Sequence, residues 1–68
     1  MDLNTVYSLF TDCWRLYKAF CTSDLTDQDI NDFIMQTDYL QKKYNNSPLS
    51  HDLIMAVINE VDRIEKGE

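Results

Sequence analysis

Hydrophobic residues between Leu3 and Cys21 recur at the spacing of an α-helix, and they do so along two parallel lines. The first line, called the aromatic stripe below, consists of Leu3, Tyr7, Phe10, Trp14, Tyr17 and Cys21. The second line, called the second stripe, consists of Val6, Leu9, Cys13, Leu16 and Phe20. Steps of three and four residues place each set on one side of a helix. Together the two stripes cover about half of the circumference, more than the ~100° face of an ordinary surface helix.

A helix with two apolar stripes requires two partners to bury them. These partners are either two other helices of the same chain, or one such helix and a second copy of the chain. We favour the first arrangement, because every helix in a three-helix bundle contacts two neighbours. Asp2 or Asn4 is the expected N-cap of this helix, and its end is expected between Cys21 and Ser23. Both thiols, Cys13 and Cys21, are then expected to be buried.

A second helix is predicted after the polar connection CTSDLT, from which Leu25 is expected to turn inward. Thr26 is a good N-cap, and Asp29 three residues later matches a weak capping box. Lys42 and Lys43 close the helix at its negative end. Its predicted buried seam is Ile30, Phe33, Thr37, Leu40 and Tyr44, with Ile34 beside it.

A third helix is predicted after the break NNSP. Ser47 as N-cap and Pro48 at the first helical position are a standard start signal. The helix is expected to run to about Lys66, and Gly67 follows it. Its predicted apolar side is Leu49, Leu53, Ile54, Val57, Ile58, Val61 and Ile64.

These patterns predict one all-α domain over residues 1–68, an antiparallel three-helix bundle with helix 1 central. A homodimer is left open. A chain of 68 residues lies near the lower size limit for independent folding. A core of this size contributes only about 3–5 kcal/mol unless cross-links or oligomerisation add to it.

Composition narrows the class of protein. The net charge of -6 argues against direct nucleic-acid binding, which requires a basic face. No signal-peptide pattern and no long apolar run occurs, so neither secretion nor membrane insertion is expected. Cys13 and Cys21 are separated by about 12 Å along a helix, beyond the roughly 7 Å reach of a disulfide. Free thiols suit a reducing compartment, and we expect a cytoplasmic protein.

No residue set matches a catalytic, metal or cofactor signature. Asp27, Asp29 and Asn31 fit the start of a calcium-loop pattern, but Asp32 stands where the turn requires glycine and Asp38 replaces the bidentate glutamate. Cys13 and His51 lack a third, orienting group, and one histidine with two buried thiols is too few for a zinc site. We therefore expect no enzyme, no metal and no cofactor.

The aspartates around the start of helix 2 form the densest acidic patch: Asp24, Asp27, Asp29 and Asp32. Such a patch excludes a helix-turn-helix contact with DNA, since phosphates would repel it. It could instead imitate a phosphate backbone and block a nucleic-acid-binding enzyme, which is our alternative function. A solvated surface with pairs such as Asp38–Lys42 and Asp62–Lys66 is the simpler interpretation.

Several large hydrophobic side chains fall outside the predicted core. On helix 2, Met35 and Tyr39 lie four residues apart and face away from the seam, and Met55 falls off the buried arc of helix 3. With Tyr7 and Trp14 they give more apolar surface than one small bundle needs. Methionine and aromatic residues are enriched at protein interfaces. We therefore predict a non-enzymatic protein–protein interaction module with these five residues at the contact.

Over its whole length, with FTDCWRLYK near the start and AVINEVDRI near the end, the chain resembles small uncharacterised helical proteins of bacterial phages and integrative elements. This resemblance implies a cytoplasmic accessory protein that acts by binding and modulating a host protein. It assigns no functional residue to any position of this chain.

Overall fold

The helix signals of the sequence correspond to three helices in the folded chain. A computed structural model describes residues 2–22 and 24–67. Within those ranges the helices are α1 (Leu3–Phe20), α2 (Asp27–Lys43) and α3 (Pro48–Glu65), and there is no strand. Each helix packs against the other two. The predicted all-helical class and the number of helices are therefore confirmed.

Side-chain caps fix where the helices begin. The Asp2 carboxylate accepts a hydrogen bond from the Thr5 backbone N–H at 2.7 Å and caps α1. Hydrogen bonding from Thr5 also lowers the pKa of Asp2. Thr26 and Asp29 form both bonds of the capping box at the start of α2, each at 3.1 Å. These caps agree with the sequence prediction.

The remaining helix boundaries lie within a residue or two of the expected positions. Ser47 caps α3, with Pro48 at its start, as predicted. Helix α1 ends at Phe20, slightly earlier than expected, and Ser23 in the predicted end region lies outside the described residues. Between α2 and α3 the chain turns through Asn45 and Asn46, whose φ angles are 56° and 53°. Asparagine tolerates this left-handed conformation better than most residues, which permits the tight reversal.

The core is built from the second stripe of α1 and one face each of α2 and α3. Leu9 and Ile54 are fully buried, and the Phe20 and Phe33 rings meet edge to face at 5.1 Å between centroids. Leu25 packs against the core from the connection before α2, as expected. The buried hydrophobic residues are Leu9, Cys13, Leu16, Phe20, Phe33, Leu40, Tyr44, Ile54 and Val61.

The aromatic stripe of α1 is not buried by the other two helices, and this part of the prediction is wrong. Leu3 is 83% exposed, Tyr7 73%, Phe10 51% and Trp14 59%. Only Tyr17 is partly buried. The reason is geometric, because α2 and α3 also pack against each other and so lie side by side on one sector of α1. The sector that carries the aromatic stripe is left open to solvent.

Three further burial predictions are wrong. Ile34 is 57% exposed and Leu49 is 39% exposed, because each lies at the margin of its helix's buried face. Cys21 follows the last turn of α1 and is exposed, while Cys13 is buried. Conversely, the polar residue Ser50 is completely buried. Its hydroxyl hydrogen donates to the Ser47 carbonyl oxygen at 2.9 Å, so its burial leaves no unsatisfied donor.

Candidate functional site

The most prominent surface feature of the molecule is the exposed aromatic stripe of α1. From the exposed fractions of Leu3, Tyr7, Phe10 and Trp14, we estimate that it presents roughly 400–600 Å² of largely apolar area. The largest apolar patch on a typical monomer is about 300–600 Å² and is often functional. This single helix face therefore reaches the upper part of that range without help from α2 or α3.

Local packing orders the C-terminal part of the stripe. The Trp14 and Tyr17 ring centroids lie 6.2 Å apart with an interplanar angle of 31°. Tyr17 itself packs against the core. Trp14 is therefore supported from one side by a side chain that the fold holds in place. A partner that binds here loses less side-chain entropy than it would against freely rotating residues.

Neutral and basic side chains border the aromatic stripe. The residues that immediately follow its first five members are Asn4, Ser8, Thr11, Arg15 and Lys18. None of them is a carboxylate, although the chain carries twelve acidic residues against six basic ones. The Thr11 hydroxyl donates to the Tyr7 carbonyl oxygen at 2.8 Å and is thus satisfied within the helix. This border does not repel an acidic partner.

A shallow groove lies where the N-terminal part of α1 meets the start of α3. It has a volume of about 330 Å³ and is lined by Val6, Ser47, Pro48 and Leu49. Val6 lies three residues after Leu3 and next to Tyr7 in the chain, so the groove borders the aromatic stripe. The half-exposed Leu49 extends the apolar surface from α1 onto α3.

The five residues predicted to bind a partner do not lie on one surface. Tyr7 and Trp14 share the aromatic stripe of α1. Met35 and Tyr39, which are 69% and 64% exposed, lie on α2, and Met55 lies on α3 at 36%. Asp12 marks the side of α1 that contacts α2, because its carboxylate binds Lys43. Each residue turns a helix by about 100°, so Trp14, two residues later, lies about 160° around α1 from Asp12. The Tyr7–Trp14 surface therefore points away from the surface of Met35 and Tyr39.

A polar cluster that sequence reasoning missed joins α1 to the end of α2. Asp12 Oδ2 accepts hydrogen bonds from Lys43 Nζ at 2.8 Å and from the Tyr44 hydroxyl at 2.5 Å. The Asp12 side chain is only 16% exposed. The partners are more than thirty residues apart in sequence, so no local pattern could have indicated the contact.

The cluster shifts the pKa values of all three groups. Burial raises the pKa of Asp12, but hydrogen bonds from Lys43 and Tyr44 outweigh it and leave that pKa below its ordinary value. The hydrogen bond to Asp12 raises the pKa of Lys43. Burial, followed by the hydrogen bond to Asp12, raises the pKa of Tyr44. The three groups are thus held as carboxylate, ammonium and neutral phenol at neutral pH.

This cluster borders a second groove, between α1 and α2, of about 200 Å³. Tyr39 lines it beside Asp12 and Arg15. Because the carboxylate already binds two donors within the chain, we assign the cluster to holding α1 against α2.

Part of the acidic patch is engaged in local structure. Asp29 accepts from the Thr26 backbone N–H in the capping box, and Asp32 accepts from the Gln28 amide at 3.0 Å. Asp24 and Asp27 are exposed. The segment 27–38 lies wholly in α2 and is a helix, which differs from the loop that a calcium site of this pattern requires. Across residues 2–22 and 24–67, no three His, Cys, Asp or Glu side chains gather into a metal site.

Surface ion pairs account for other charged residues. The predicted pairs form, with Lys42 Nζ at 2.9 Å from Asp38 and Lys66 Nζ at 3.0 Å from Asp62. All four side chains are more than half exposed, so each pair contributes only a few tenths of a kcal/mol, about 0.3–0.5.

The Cys13 thiol is poorly suited to nucleophilic chemistry. Its burial, with a smaller contribution from the nearby Asp12 charge, raises its pKa and keeps it protonated at neutral pH. His51 is exposed on the first turn of α3. Among the described residues, no helix combines the length and hydrophobicity that a membrane span demands.

Comparisons of the chain with protein-family profiles, with curated proteins and with solved structures found no match. The surface itself is therefore the basis for assigning a function.

Proposed function

We propose that this protein is a non-enzymatic protein–protein interaction module whose principal contact surface is the aromatic stripe of α1. The observation that carries the proposal is the exposure of Leu3, Tyr7, Phe10 and Trp14 on consecutive turns of one helix. Trp and Tyr are enriched among the few residues that carry most of the binding energy at protein interfaces, and solvent exposure of such a row is costly unless something covers it.

The proposal includes an antiparallel order of the helices. Two pairs support it for α1 and α2, because Asp12 binds Tyr44 while Phe20, later in α1, contacts Phe33, earlier in α2. The groove lined by Val6, Ser47, Pro48 and Leu49 lies between the N-terminal part of α1 and the start of α3 and enlarges the contact surface.

The target class follows from the resemblance to phage and integrative-element proteins, which implies a host protein that the module binds and modulates in the cytoplasm. The module would act by covering a surface of that protein. Met35 and Tyr39 on α2 and Met55 on α3 offer secondary contacts at a distance from the stripe.

The experiment that tests the proposal compares three immobilised chains in a capture from the native cell, read by mass spectrometry: wild type, Trp14→Ser and Met35→Ser. Trp14 and Met35 are similarly exposed, at 59% and 69%, so Met35→Ser is a matched control for loss of a surface hydrophobe. We expect the wild type and Met35→Ser to capture the same proteins and Trp14→Ser to lose them. Equal capture by all three chains would contradict the assignment.

An acidic mimic of nucleic acid is the second candidate function, and the exposed Asp24 and Asp27 are the observation in its favour. Asp29 and Asp32 are less suited to it, since both carboxylates already accept bonds within α2 or its cap. Salt separates the two functions. Capture through the aromatic stripe persists from about 0.1 M to about 1 M salt, whereas capture through aspartates falls steeply over that range.

A further inference from the structure

We propose that the aromatic stripe binds a second copy of this chain, forming a homodimer in which the two α1 helices pack antiparallel. This inference rests on the proposed function: the surface that contacts the host protein also binds a second copy, so the two contacts exclude each other. Three observations carry it: the spacing of the stripe, its area and its bordering charges.

The spacing of the stripe suits a helix pair. From Leu3 to Cys21 its members are separated by four, three, four, three and four residues, which is the seam of a two-helix coiled coil. The order of steps reads the same in both directions around Asp12. Two antiparallel copies therefore bring stripe members opposite stripe members along the whole helix.

The side chains that meet in this register are similar in size. The facing pairs are Leu3 with Cys21, Tyr7 with Tyr17, and Phe10 with Trp14, each occurring twice about the dimer axis. Large rings thus meet large rings at the centre, and smaller side chains meet at the ends. Such self-complementarity is the requirement for a two-fold symmetric contact, in which the same patch serves both copies.

The exposed area approaches what a specific dimer buries. Two copies of the stripe together provide about 1,000 Å² from Leu3, Tyr7, Phe10 and Trp14 alone, which is about the minimum for a specific interface. Leu49 and the groove beside Val6 border the stripe and add to this area. The support of Trp14 by Tyr17 reduces the entropy that ordering the interface costs.

The charges permit this approach although each copy carries a net charge of -6. No carboxylate follows a stripe member along α1, so this border of the contact lacks negative charge. The residues that flank the seam, one position beyond the stripe members, approach their counterparts between the facing pairs. There Lys18 lies nearest to Asn4 of the other copy, and Thr11 lies nearest to Thr11 of the other copy. No like charges are brought together at these positions.

The dimer places α1 at the centre of the assembly. Its second stripe faces α2 and α3, and its aromatic stripe faces the other copy. Met35 and Tyr39 stay exposed on the outside of both copies.

Sedimentation velocity between about 1 and about 100 micromolar tests the dimer with a matched pair of variants. Phe10→Ser removes a stripe residue that is 51% exposed, and Tyr39→Ser removes an α2 residue that is 64% exposed. We expect the wild type and Tyr39→Ser to form the same dimer, and Phe10→Ser to raise the dissociation constant roughly tenfold or more. Circular dichroism confirms that helix content is unchanged, and Tyr7→Ser replaces Phe10→Ser if it is not.

Cysteine cross-linking tests the antiparallel register. Leu3→Cys should form an interchain disulfide with the native Cys21 of the other copy when copper–phenanthroline is supplied as oxidant, since a disulfide needs Cα atoms within about 7 Å. The control Leu3→Cys with Cys21→Ser should lose this link, and the wild type should form none. A wild-type link through Cys21 alone would mean a parallel pair and would overturn the register.

The remaining outcomes separate this inference from the proposed function. A wild type that stays monomeric throughout the concentration range overturns the homodimer. If such a monomer still captures another protein through Trp14, the interaction module stands and its partner is a different chain. If it captures none, both proposals fail. Equal loss of the dimer in Phe10→Ser and Tyr39→Ser also overturns the inference, because the contact would not lie on the stripe.

Discussion

Asp12 is the residue whose chemistry depends most on the folded chain. Asp12 precedes the buried Cys13 on α1 and lies at the edge of the core. In the bundle its carboxylate accepts hydrogen bonds from both Lys43 and Tyr44. A partly buried carboxylate without such donors would destabilise the fold, whereas this one is compensated. The cluster therefore contributes to the contact of α1 with the end of α2.

We predict that Tyr44→Phe destabilises the protein in a pH-dependent way. The pKa of Asp12 is lowered on folding, so its contribution is present above the ordinary value of 3.8 and is lost as pH falls through the folded pKa. Loss of the Tyr44 donor should lower the free energy of unfolding by about 1–2 kcal/mol at pH 7 and by less in acid. Urea unfolding across this pH range measures the difference.

Tyr7→Phe is the matched control for this prediction. Tyr7 is 73% exposed, so the unfolding of this variant should follow the wild type at every pH.

At alkaline pH the dependence of stability on pH has the opposite sign. The raised pKa values of Tyr44 and Lys43 mean that their contributions are present below the ordinary values of 10.0 and 10.5 and are lost as pH rises through the folded values. A constant Tyr44→Phe effect from pH 7 down to full protonation of Asp12 would contradict the assignment.

Ser50 shows why single residues near a helix start are hard to assign from a pattern. The pattern of α3 predicts Ser50 at the surface. In the structure Ser50 is fully buried, while its neighbour Leu49 is 39% exposed. Periodicity identifies the apolar face to within about one position on either side. Whether the marginal residue is inside depends on how closely the neighbouring helix approaches, and that distance is a tertiary property.

The helices begin where side chains satisfy their first backbone N–H groups. The capping box of α2 is the most complete case, because Thr26 and Asp29 each accept a backbone N–H from the other residue. Such signals involve residues only three positions apart, so they could be predicted from the sequence. The ends of the helices depend less on specific side chains, and the predicted end of α1 was correspondingly less accurate.

We predict that Thr26→Ala lowers the free energy of unfolding by about 1 kcal/mol, because the N–H of Asp29 loses its acceptor. Thr26→Ser keeps the hydroxyl oxygen and should differ from the wild type by only a few tenths of a kcal/mol, about 0.3. Thermal unfolding by circular dichroism compares the two variants. Equal loss in both would show that the methyl group of Thr26, rather than its cap, is what stabilises α2.

The molecule as a whole has a small core, in which Leu9 and Ile54 are the fully buried large hydrophobic residues of the described chain. A domain of this size has a total stability on the order of 3–5 kcal/mol. The exposed members of the aromatic stripe, Leu3, Tyr7, Phe10 and Trp14, add little to that total in a single copy. Dimerisation would add to it and would make the stability depend on protein concentration.

We predict that Leu9→Ala unfolds much of the population at 25 °C, since truncation of a buried leucine costs about 2–5 kcal/mol. Leu3→Ala removes the same atoms from a residue that is 83% exposed and should leave the free energy of unfolding of the dilute protein unchanged. Urea unfolding at submicromolar concentration measures both variants. A similar loss in both would indicate that the aromatic stripe is covered even in the single copy.

The sequence by itself determined the three helices, their N-caps and most of the buried positions, because these follow from interactions between residues a few positions apart. It also showed that α1 carries two apolar stripes. Only the tertiary structure decided which stripe is inside, since α2 and α3 pack against each other on one sector of α1. The Asp12–Lys43–Tyr44 cluster and the exposed aromatic stripe both result from that packing, which joins residues far apart in the chain and leaves no local signal.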